Sequence, residues 1–202
     1  MRLKYVFSIL IYRDYSMPTL EDVKVLGGIG ALCSLISFVP YVGWLISIAG
    51  FILVLIAIKY LSDIFHEPQI FTNLIIAIAA YIVGIILFFV IIVGSLLSFI
   101  ASLPHENSPN LAPLLGIIVA FLAFWAACIV GGVYINRAYG RMAEVTGVEL
   151  FRTTGLVYLI GSILVIILIG LLFLVIAKIL EAVSFFSIKE EAPPPPPPPP
   201  VY

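Results

Sequence analysis

The sequence predicts an all-α fold, a polytopic transmembrane helical bundle with six spans arranged as three hairpins. Apolar residues make up 63% of the 202 positions and charged residues only 10%, whereas a soluble domain carries about a quarter charged residues. The apolar residues form continuous runs instead of alternating with the period of two that marks a transmembrane β-strand. Several of these runs are long enough to cross a hydrocarbon core about 30 Å thick.

The first hairpin is predicted from one uncharged run, residues 25–58. At about 1.5 Å per residue, a helix of this length is too long for a single crossing. Pro40 and Gly43 interrupt the run, and both residue types favour a break between helices. We therefore expect two short spans, at about 26–39 and 43–61.

The second hairpin is predicted over residues 70–101 and 111–136, which are two further uncharged runs. A polar cluster at 104–110 that contains two prolines separates them, as expected of a turn between helices. Thr146 and Glu149 have the spacing of a capping box, so a further helix is expected to begin there.

The region 153–188 has two interpretations. It begins with twenty-five uncharged residues, which are enough for one tilted span, and this gives five spans in all. A hairpin that turns about Gly170 gives six. Aligning Gly28 with Gly155 without gaps also aligns Gly43 with Gly170, which hints at a duplicated hairpin and favours six spans.

The distribution of charge also favours six spans. With a cytoplasmic N-terminus, all ten Lys and Arg residues then lie on the cytoplasmic side or on the last helix, which faces the cytoplasm. This is the positive-inside pattern. Five spans would leave two basic residues outside, which the rule also tolerates. Interfacial aromatic residues are expected at the outer side (Tyr41 and Trp44) and the inner side (Tyr60, Tyr134 and Tyr139). We expect a cell-membrane protein with both termini in the cytoplasm.

Two terminal segments flank the transmembrane helical domain, which we assign to residues 19–188. Residues 1–18 form an N-terminal extension with two interpretations: an interfacial helix with apolar side chains in the headgroup region, or, slightly favoured, a true start at Met17 with the first sixteen residues upstream of it. Thr19 and the acidic residues after it fit a helix N-terminus. The tail, residues 189–202, contains eight consecutive prolines. It is expected to be a polyproline II spacer rather than a docking ligand.

Lys178 and Glu181 are the charged residues that six spans place well inside the membrane. They lie three positions apart and share a helix face, and Ser184 and Ser187 continue the same spacing. This polar stripe is a candidate lining for a substrate or ion path. The alternative, which the sequence favours, is a self-satisfied pair near the inner interface, with Lys178 reaching toward the headgroups.

Two further sets of residues are candidate contact surfaces. The polar segment 137–153 carries three arginines that could hold anionic lipid headgroups, although ordinary anchoring of the topology is the favoured interpretation: Arg137, Arg141 and Arg152. The predicted fourth span carries small residues at every fourth position, which allow helices to approach closely: Ala123, Ala127 and Gly131. Packing within the chain is the default expectation for this second set. A homo-oligomer interface, or contact with another membrane protein, is the alternative.

The sequence contains no recognisable catalytic, cofactor or metal-binding pattern. His66 and His105 fall in loops on opposite faces, and Cys33 and Cys128 lie inside apolar runs, where small buried side chains are expected. The net charge of −1 comes without a basic patch, so no nucleic-acid partner is indicated. We expect no cofactor and no enzymatic activity.

Several segments resemble a family of archaeal multi-pass membrane proteins known as domain of unknown function 996. The resemblance covers roughly residues 19–188, and its motifs are specific in combination: Leu26-Gly-Gly-Ile-Gly-Ala-Leu, Gly50-Phe-Ile-Leu-Val-Leu-Ile-Ala-Ile-Lys-Tyr-Leu-Ser-Asp63, Phe151-Arg-Thr-Thr-Gly155-Leu-Val-Tyr-Leu-Ile-Gly161 and Phe185-Phe-Ser187. It implies a membrane bundle but no activity or cofactor. The first functional hypothesis is a non-enzymatic scaffold, partner-binding or membrane-stabilising protein in the lipid bilayer. The second is a small transporter or channel component that uses the polar stripe.

Overall fold

The all-α prediction is confirmed by a computed structural model, which describes residues 18–36, 43–102 and 111–189. No strand occurs within these ranges. The last two helices are joined by a short 3-10 turn, Val165–Ile167, and the helices are α1 (Leu20–Leu35), α2 (Gly43–Ile64), α3 (Pro68–Ser102), α4 (Ala112–Thr146), α5 (Leu150–Leu164) and α6 (Ile169–Phe186). Five of them, α2 to α6, are long and apolar enough to cross a membrane when α5 is taken together with the 3-10 turn.

The six helices form a ring in which each helix packs against the next and α6 returns to α1. Sequence neighbours run antiparallel, and the α6–α1 contact is antiparallel as well, because Gly27 near the start of α1 meets Phe185 at the end of α6. The contact between α2 and α3 is the weakest of the six. The ring therefore has one loose seam, between α2 and α3.

Helix α1 begins where the sequence predicts an N-cap. The Thr19 hydroxyl accepts a hydrogen bond from the Asp22 backbone N–H at 3.2 Å, and the Asp22 carboxylate accepts one from the Thr19 backbone N–H at 2.8 Å. The bonds that Thr19 donates from its backbone and its hydroxyl lower the pKa of Asp22, because they stabilise the charged carboxylate. The predicted break at Pro40 lies outside the described residues.

Helices α1 and α2 are held together by two glycines that face each other. A Cβ added at Gly30 would lie 2.7 Å from the Gly50 carbonyl oxygen, and one added at Gly50 would lie 2.5 Å from the Gly30 oxygen. Neither backbone could move away cheaply, so only glycine permits this separation. This is the close approach that small residues allow between membrane helices.

The predicted hairpin within 153–188 is confirmed, but its turn lies a few residues before Gly170. The chain reverses through residues 165–168, where Leu168 adopts the left-handed conformation (φ 63°). Gly170 lies in the first turn of α6, as Gly43 does in α2. The absence of a side chain at Gly170 allows α6 to pack closely against the preceding turn, because an added Cβ would lie 2.2 Å from the Val165 nitrogen.

Helix α4 is longer than the sequence analysis predicts, because it continues past residue 136 to Thr146. Hydropathy falls at Arg137, but most of the residues from 137 to 144 are good helix formers, so the helix persists beyond the apolar run. Gly147 ends it in the left-handed conformation (φ 69°). The capping box predicted at Thr146 is therefore wrong, since its hydroxyl donates back to the Met142 carbonyl at 2.6 Å. Helix α5 starts after Glu149, which makes no side-chain capping bond.

The second hairpin is much longer than the third. Helices α3 and α4 have 35 residues each, or about 52 Å, whereas α6 has 18, or about 27 Å. The Trp125 indole N–H donates to the Ile163 carbonyl at 2.9 Å, which places the C-terminal end of α5 beside the middle of α4. The part of the α3–α4 hairpin that extends beyond the end of α5 is called the distal hairpin, residues 86–102 and 111–124. The rest of the described bundle is called the basic half, because it carries all the described Lys and Arg residues.

Candidate membrane cavity

A cavity of about 320 Å³ lies inside the basic half, enclosed by the helices from α2 to α6. All five helices from α2 to α6 contribute to its wall. Most of the wall is apolar, and the polar side chains in it are Tyr81, Tyr139, Tyr158, Ser162, Lys178 and Glu181. The size is within the range of small-molecule sites, which are concave, mostly apolar and carry a few polar groups.

Glu181 is the centre of the polar network in this wall. Its side chain is only 1% exposed. The Tyr139 hydroxyl donates to Oε1 at 2.5 Å, the Tyr158 hydroxyl donates to Oε2 at 2.6 Å, and Lys178 Nζ donates to Oε2 at 2.8 Å. A buried charge is tolerated only when it is paired and hydrogen-bonded. The three donors come from α4, α5 and α6, so this carboxylate ties three helices together.

Lys178 is the more accessible member of the ion pair, with 27% of its side chain exposed. Its ammonium group lies 5.7 Å from the centre of the Tyr158 ring. A cation at this distance is attracted by the face of the ring. The aromatic ring and the carboxylate therefore hold the ammonium group at the cavity wall.

The four residues of the predicted polar stripe do not share one surface in the structure. Ser184 is buried, with its hydroxyl 3.1 Å from the Thr154 hydroxyl of α5. Ser187 is instead exposed at the C-cap of α6, where its hydroxyl donates to the Val183 carbonyl. Nine residues at about 100° each bring Ser187 half a turn away from Lys178. A spacing of three keeps neighbours on one face but drifts around the helix over several repeats.

The three candidate arginines lie together at the surface of the basic half. Arg141 pairs with Glu144 at 2.9 Å, and Arg152 approaches Glu149 at 3.5 Å and Glu144 at 3.9 Å. The Arg137 guanidinium lies over the Tyr134 ring at 5.2 Å. Two of the three cations thus have acidic partners on the same surface, where such pairs contribute little to stability.

Two of the three small residues of α4 in the predicted stripe, Ala127 and Gly131, pack within the chain. A Cβ added at Gly84 of α3 would lie 2.5 Å from the Ala127 Cβ, and one added at Gly131 would lie 2.6 Å from the Tyr81 ring. Ala123, one turn further along α4, is partly buried. The part of this stripe formed by Ala127 and Gly131 is therefore occupied by α3.

The cysteines and histidines are separated in space. Cys128 is buried and lines the cavity, whereas Cys33 is partly exposed on α1. His66 lies exposed in the connection between α2 and α3, and His105 falls outside the described residues. Among the residues that the structure describes, no group of three or more His, Cys, Asp or Glu side chains could hold a metal ion.

The two tyrosines that donate hydrogen bonds to Glu181 are not among the site residues predicted from the sequence. Tyr139 was expected at the membrane interface, but it is 3% exposed and packs against Phe151 and Tyr158. The available signal was Tyr158, a tyrosine within a long apolar run. A buried tyrosine hydroxyl needs a partner, and a carboxylate in another apolar run is the natural one.

Comparison with known proteins identifies the family but no activity. The family described as "Protein of unknown function (DUF996)" matches residues 46–179, a range that holds most of the cavity wall but not Glu181. The uncharacterized protein MJ1644 of Methanocaldococcus jannaschii is 31% identical over 172 residues, which is 85% of this chain and 94% of that protein. No solved structure matches. The chain belongs to the DUF996 family of archaeal proteins of unknown function.

Proposed function

We propose that this chain is a non-enzymatic membrane protein that binds a small, mostly apolar molecule in its central cavity, as a carrier or as the binding component of a transporter. The observation that carries the proposal is the Lys178–Glu181 ion pair in the wall of that cavity. Replacing a buried ion pair by apolar residues is often neutral or stabilising. An ionisable pair kept within a membrane bundle is therefore a functional candidate.

The same geometry favours the transport hypothesis over a purely structural scaffold. A scaffold is best served by a tightly packed interior, because a void loses the dispersion contacts of its lining atoms. Here the apolar wall surrounds space instead of other side chains. The proposal that the chain is not an enzyme is supported by Glu181, which accepts three hydrogen bonds and is not free to act as a general base.

The loose seam between α2 and α3 offers a route from the lipid into the cavity. Phe51 of α2 lines the cavity and is 41% exposed, while Leu74 of α3 lines it and is buried. An apolar molecule dissolved in the bilayer would reach the cavity sideways, by displacing the exposed phenylalanine. Entry from lipid fits a wall that is mostly apolar.

The proposed orientation places the basic half toward the cytoplasm, with both termini there. All described Lys and Arg residues lie in this half, as the positive-inside rule requires of a cytoplasmic face. A cysteine placed at Glu149 or at Leu111, in protein that lacks the two native cysteines, tests this in intact cells. An impermeant maleimide is expected to label Leu111→Cys and not Glu149→Cys. The reverse pattern would contradict the orientation.

The binding proposal is tested by analysing what copurifies with the protein. Cys128→Phe adds a ring to the cavity wall, and Leu115→Phe adds the same ring on the exposed distal hairpin as a matched control. Mass spectrometry of organic extracts should find a small molecule with wild-type protein and with the control, and much less with Cys128→Phe. Equal amounts in both variants, or none with the wild type, would contradict the proposal.

A further inference from the structure

We infer that the ligand of this cavity is an electrically neutral molecule with an apolar body and one hydrogen-bond acceptor, such as a carbonyl oxygen, that binds Lys178 Nζ. The inference rests on the proposed function, because it names the class of ligand for the same cavity. It follows from the charge balance of the wall and from its supply of unused hydrogen-bond donors.

The charges in the cavity wall cancel. Among the described residues, Lys178 and Glu181 are the charged side chains that line it, and their charged atoms lie 2.8 Å apart. An anionic ligand would add an uncompensated negative charge beside Glu181, and a cationic ligand would add a positive charge beside Lys178. In an apolar site either charge is strongly disfavoured. A neutral ligand leaves the balance intact.

The hydroxyl groups of the wall are already engaged within the protein. Tyr139 and Tyr158 each donate to Glu181, Ser162 donates to the Tyr158 carbonyl at 2.9 Å, and the Tyr81 hydroxyl hydrogen-bonds to the Ser162 side chain. Glu181 accepts three bonds and is almost fully buried. A ligand that offers only a donor would therefore meet few free acceptors.

The ammonium group of Lys178 supplies the donors that remain. An ammonium group carries three N–H donors, and one of them is directed to Glu181. The side chain is partly exposed and lines the cavity. A ligand acceptor could thus bind Nζ without breaking the ion pair. The rest of the ligand would contact apolar side chains of four helices, among them Val54, Leu55, Leu74, Ile135 and Leu174.

A matched series of four probes with one naphthalene body tests the ligand class. The probes are 2-acetylnaphthalene as the neutral acceptor, 2-naphthoate as the anion, 2-naphthylmethylammonium as the cation and 2-ethylnaphthalene as the hydrocarbon. The readout is the rate at which a small maleimide alkylates Cys128 in Cys33→Ala protein in nanodiscs, because an occupant of the cavity shields this thiol. Concentrations are compared within the bilayer, after the partition of each probe has been measured.

The ketone is expected to give half-protection at a concentration at least about tenfold below the other three, as one hydrogen bond to a charged group implies. Retention of each probe by nanodiscs that carry wild-type protein, relative to nanodiscs that carry Cys128→Phe, gives the ranking independently of thiol reactivity. Tighter binding of the anion or the cation, or equal binding of the ketone and the hydrocarbon, would overturn the inference. Failure of all four probes to bind would overturn the proposed function itself.

Two variants connect the preference to Lys178. The double substitution Lys178→Met with Glu181→Gln removes the ammonium donor while keeping an amide where the carboxylate accepted its bonds. It is expected to bring the ketone to within about twofold of the hydrocarbon, without loss of hydrocarbon binding. Lys178→Arg keeps both the charge and the donors, and it should retain the preference. A preference that survives the double substitution would show that the acceptor binds elsewhere.

Discussion

The basic half and the distal hairpin are both built from apolar helices, yet the buried polar side chains of the described residues all lie in the basic half. In the basic half, Glu181, Thr154 and Ser184 lie inside, each at 1% exposure or less. In the distal hairpin, large apolar side chains lie outside, with Val90 64% and Leu115 60% exposed. A water-soluble protein exposes fewer large apolar side chains than this hairpin does, and it rarely buries a charged side chain unless that side chain is paired.

The difference shows what holds each part together. Lipid is as apolar as leucine, so burial of leucine between membrane helices brings little gain. The basic half is joined by hydrogen bonds to Glu181 and by glycine contacts between backbones. The distal hairpin is joined by ring contacts such as Phe88 against Phe121, with centroids 5.2 Å apart, and by the close approach of Gly116 to Ser95. Substitutions of buried polar groups should therefore matter far more in the basic half, and a glycine substitution should matter according to how closely the facing helix approaches it.

The largest effect is expected for Glu181→Leu. It leaves the Lys178 ammonium group without its partner and two tyrosine hydroxyls without an acceptor, which should lower the free energy of unfolding by about 3–5 kcal/mol. Unfolding in mixed detergent micelles with increasing dodecyl sulfate, followed by tryptophan fluorescence, measures this. Glu144→Leu, an exposed acid in the same half, is the matched control and should change stability by less than about 0.5 kcal/mol. Equal effects of the two substitutions would contradict the stabilising role that we assign to Glu181.

A smaller loss is expected for Tyr139→Phe. The ring stays in place, but one of the three donors to a buried carboxylate is lost, at about 1.5–3 kcal/mol. Tyr134→Phe on the same helix is the control, because Tyr134 is only partly buried and its ring lies under Arg137. The same unfolding measurement applies. A Tyr139→Phe protein as stable as the control would mean that the network tolerates a missing donor.

A similar or slightly smaller loss is expected for Gly170→Ala, at about 1–3 kcal/mol, since the added methyl group would overlap the backbone of α5. Gly94→Ala, in the distal hairpin, is matched to it because an added Cβ there has nothing within 4 Å. That substitution should be neutral or stabilising by up to about 1 kcal/mol, as alanine favours helix. Opposite signs for the two substitutions would sharpen the contrast between the two regions, whereas equal signs would weaken it.

The smallest effect is expected at the edge of the basic half, for Thr19→Ala, at about 1 kcal/mol at neutral pH. Thr19 lowers the pKa of Asp22, so its contribution is present above the ordinary aspartate pKa and is lost as the pH falls through the lowered value. The difference between wild type and variant should therefore shrink on acidification below about pH 4.

Glu149→Ala is the control for this cap, because Glu149 precedes α5 without a capping bond from its side chain. It should leave stability nearly unchanged at both pH values. A Thr19→Ala effect that does not depend on pH would mean that Asp22 takes no part in the cap.

Most of the fold could be predicted because charged residues and prolines bound the apolar runs. The start of α1 after the N-cap Thr19 and the start of α2 at Gly43 both follow local signals. The end of α4 does not follow the hydropathy of the sequence, because hydropathy falls at Arg137 whereas the helix continues to Thr146. The turn at Leu168 carries no turn residue, so its position depends on how closely α5 and α6 pack.

Only some residues of the candidate site could be predicted from the sequence. Lys178 and Glu181 stand out in any apolar run, since charges there are rare. Their partners Tyr139 and Tyr158 belong to other helices, and which residues meet depends on helix register and rotation. Neither quantity can be obtained from spacing along one helix, and the departure of Ser187 from the stripe shows how quickly such an extrapolation fails.

The sequence by itself determined that this protein is a set of α-helical hairpins suited to lipid. Uncharged runs of this length must satisfy their own backbone hydrogen bonds in a bilayer, and only helices do so within one segment. The tertiary structure alone decided that the ring leaves a cavity and that three helices direct donors to one carboxylate. These features arise between segments distant in the chain, where glycine contacts fix the separations and the energetic demand of a buried charge selects its partners.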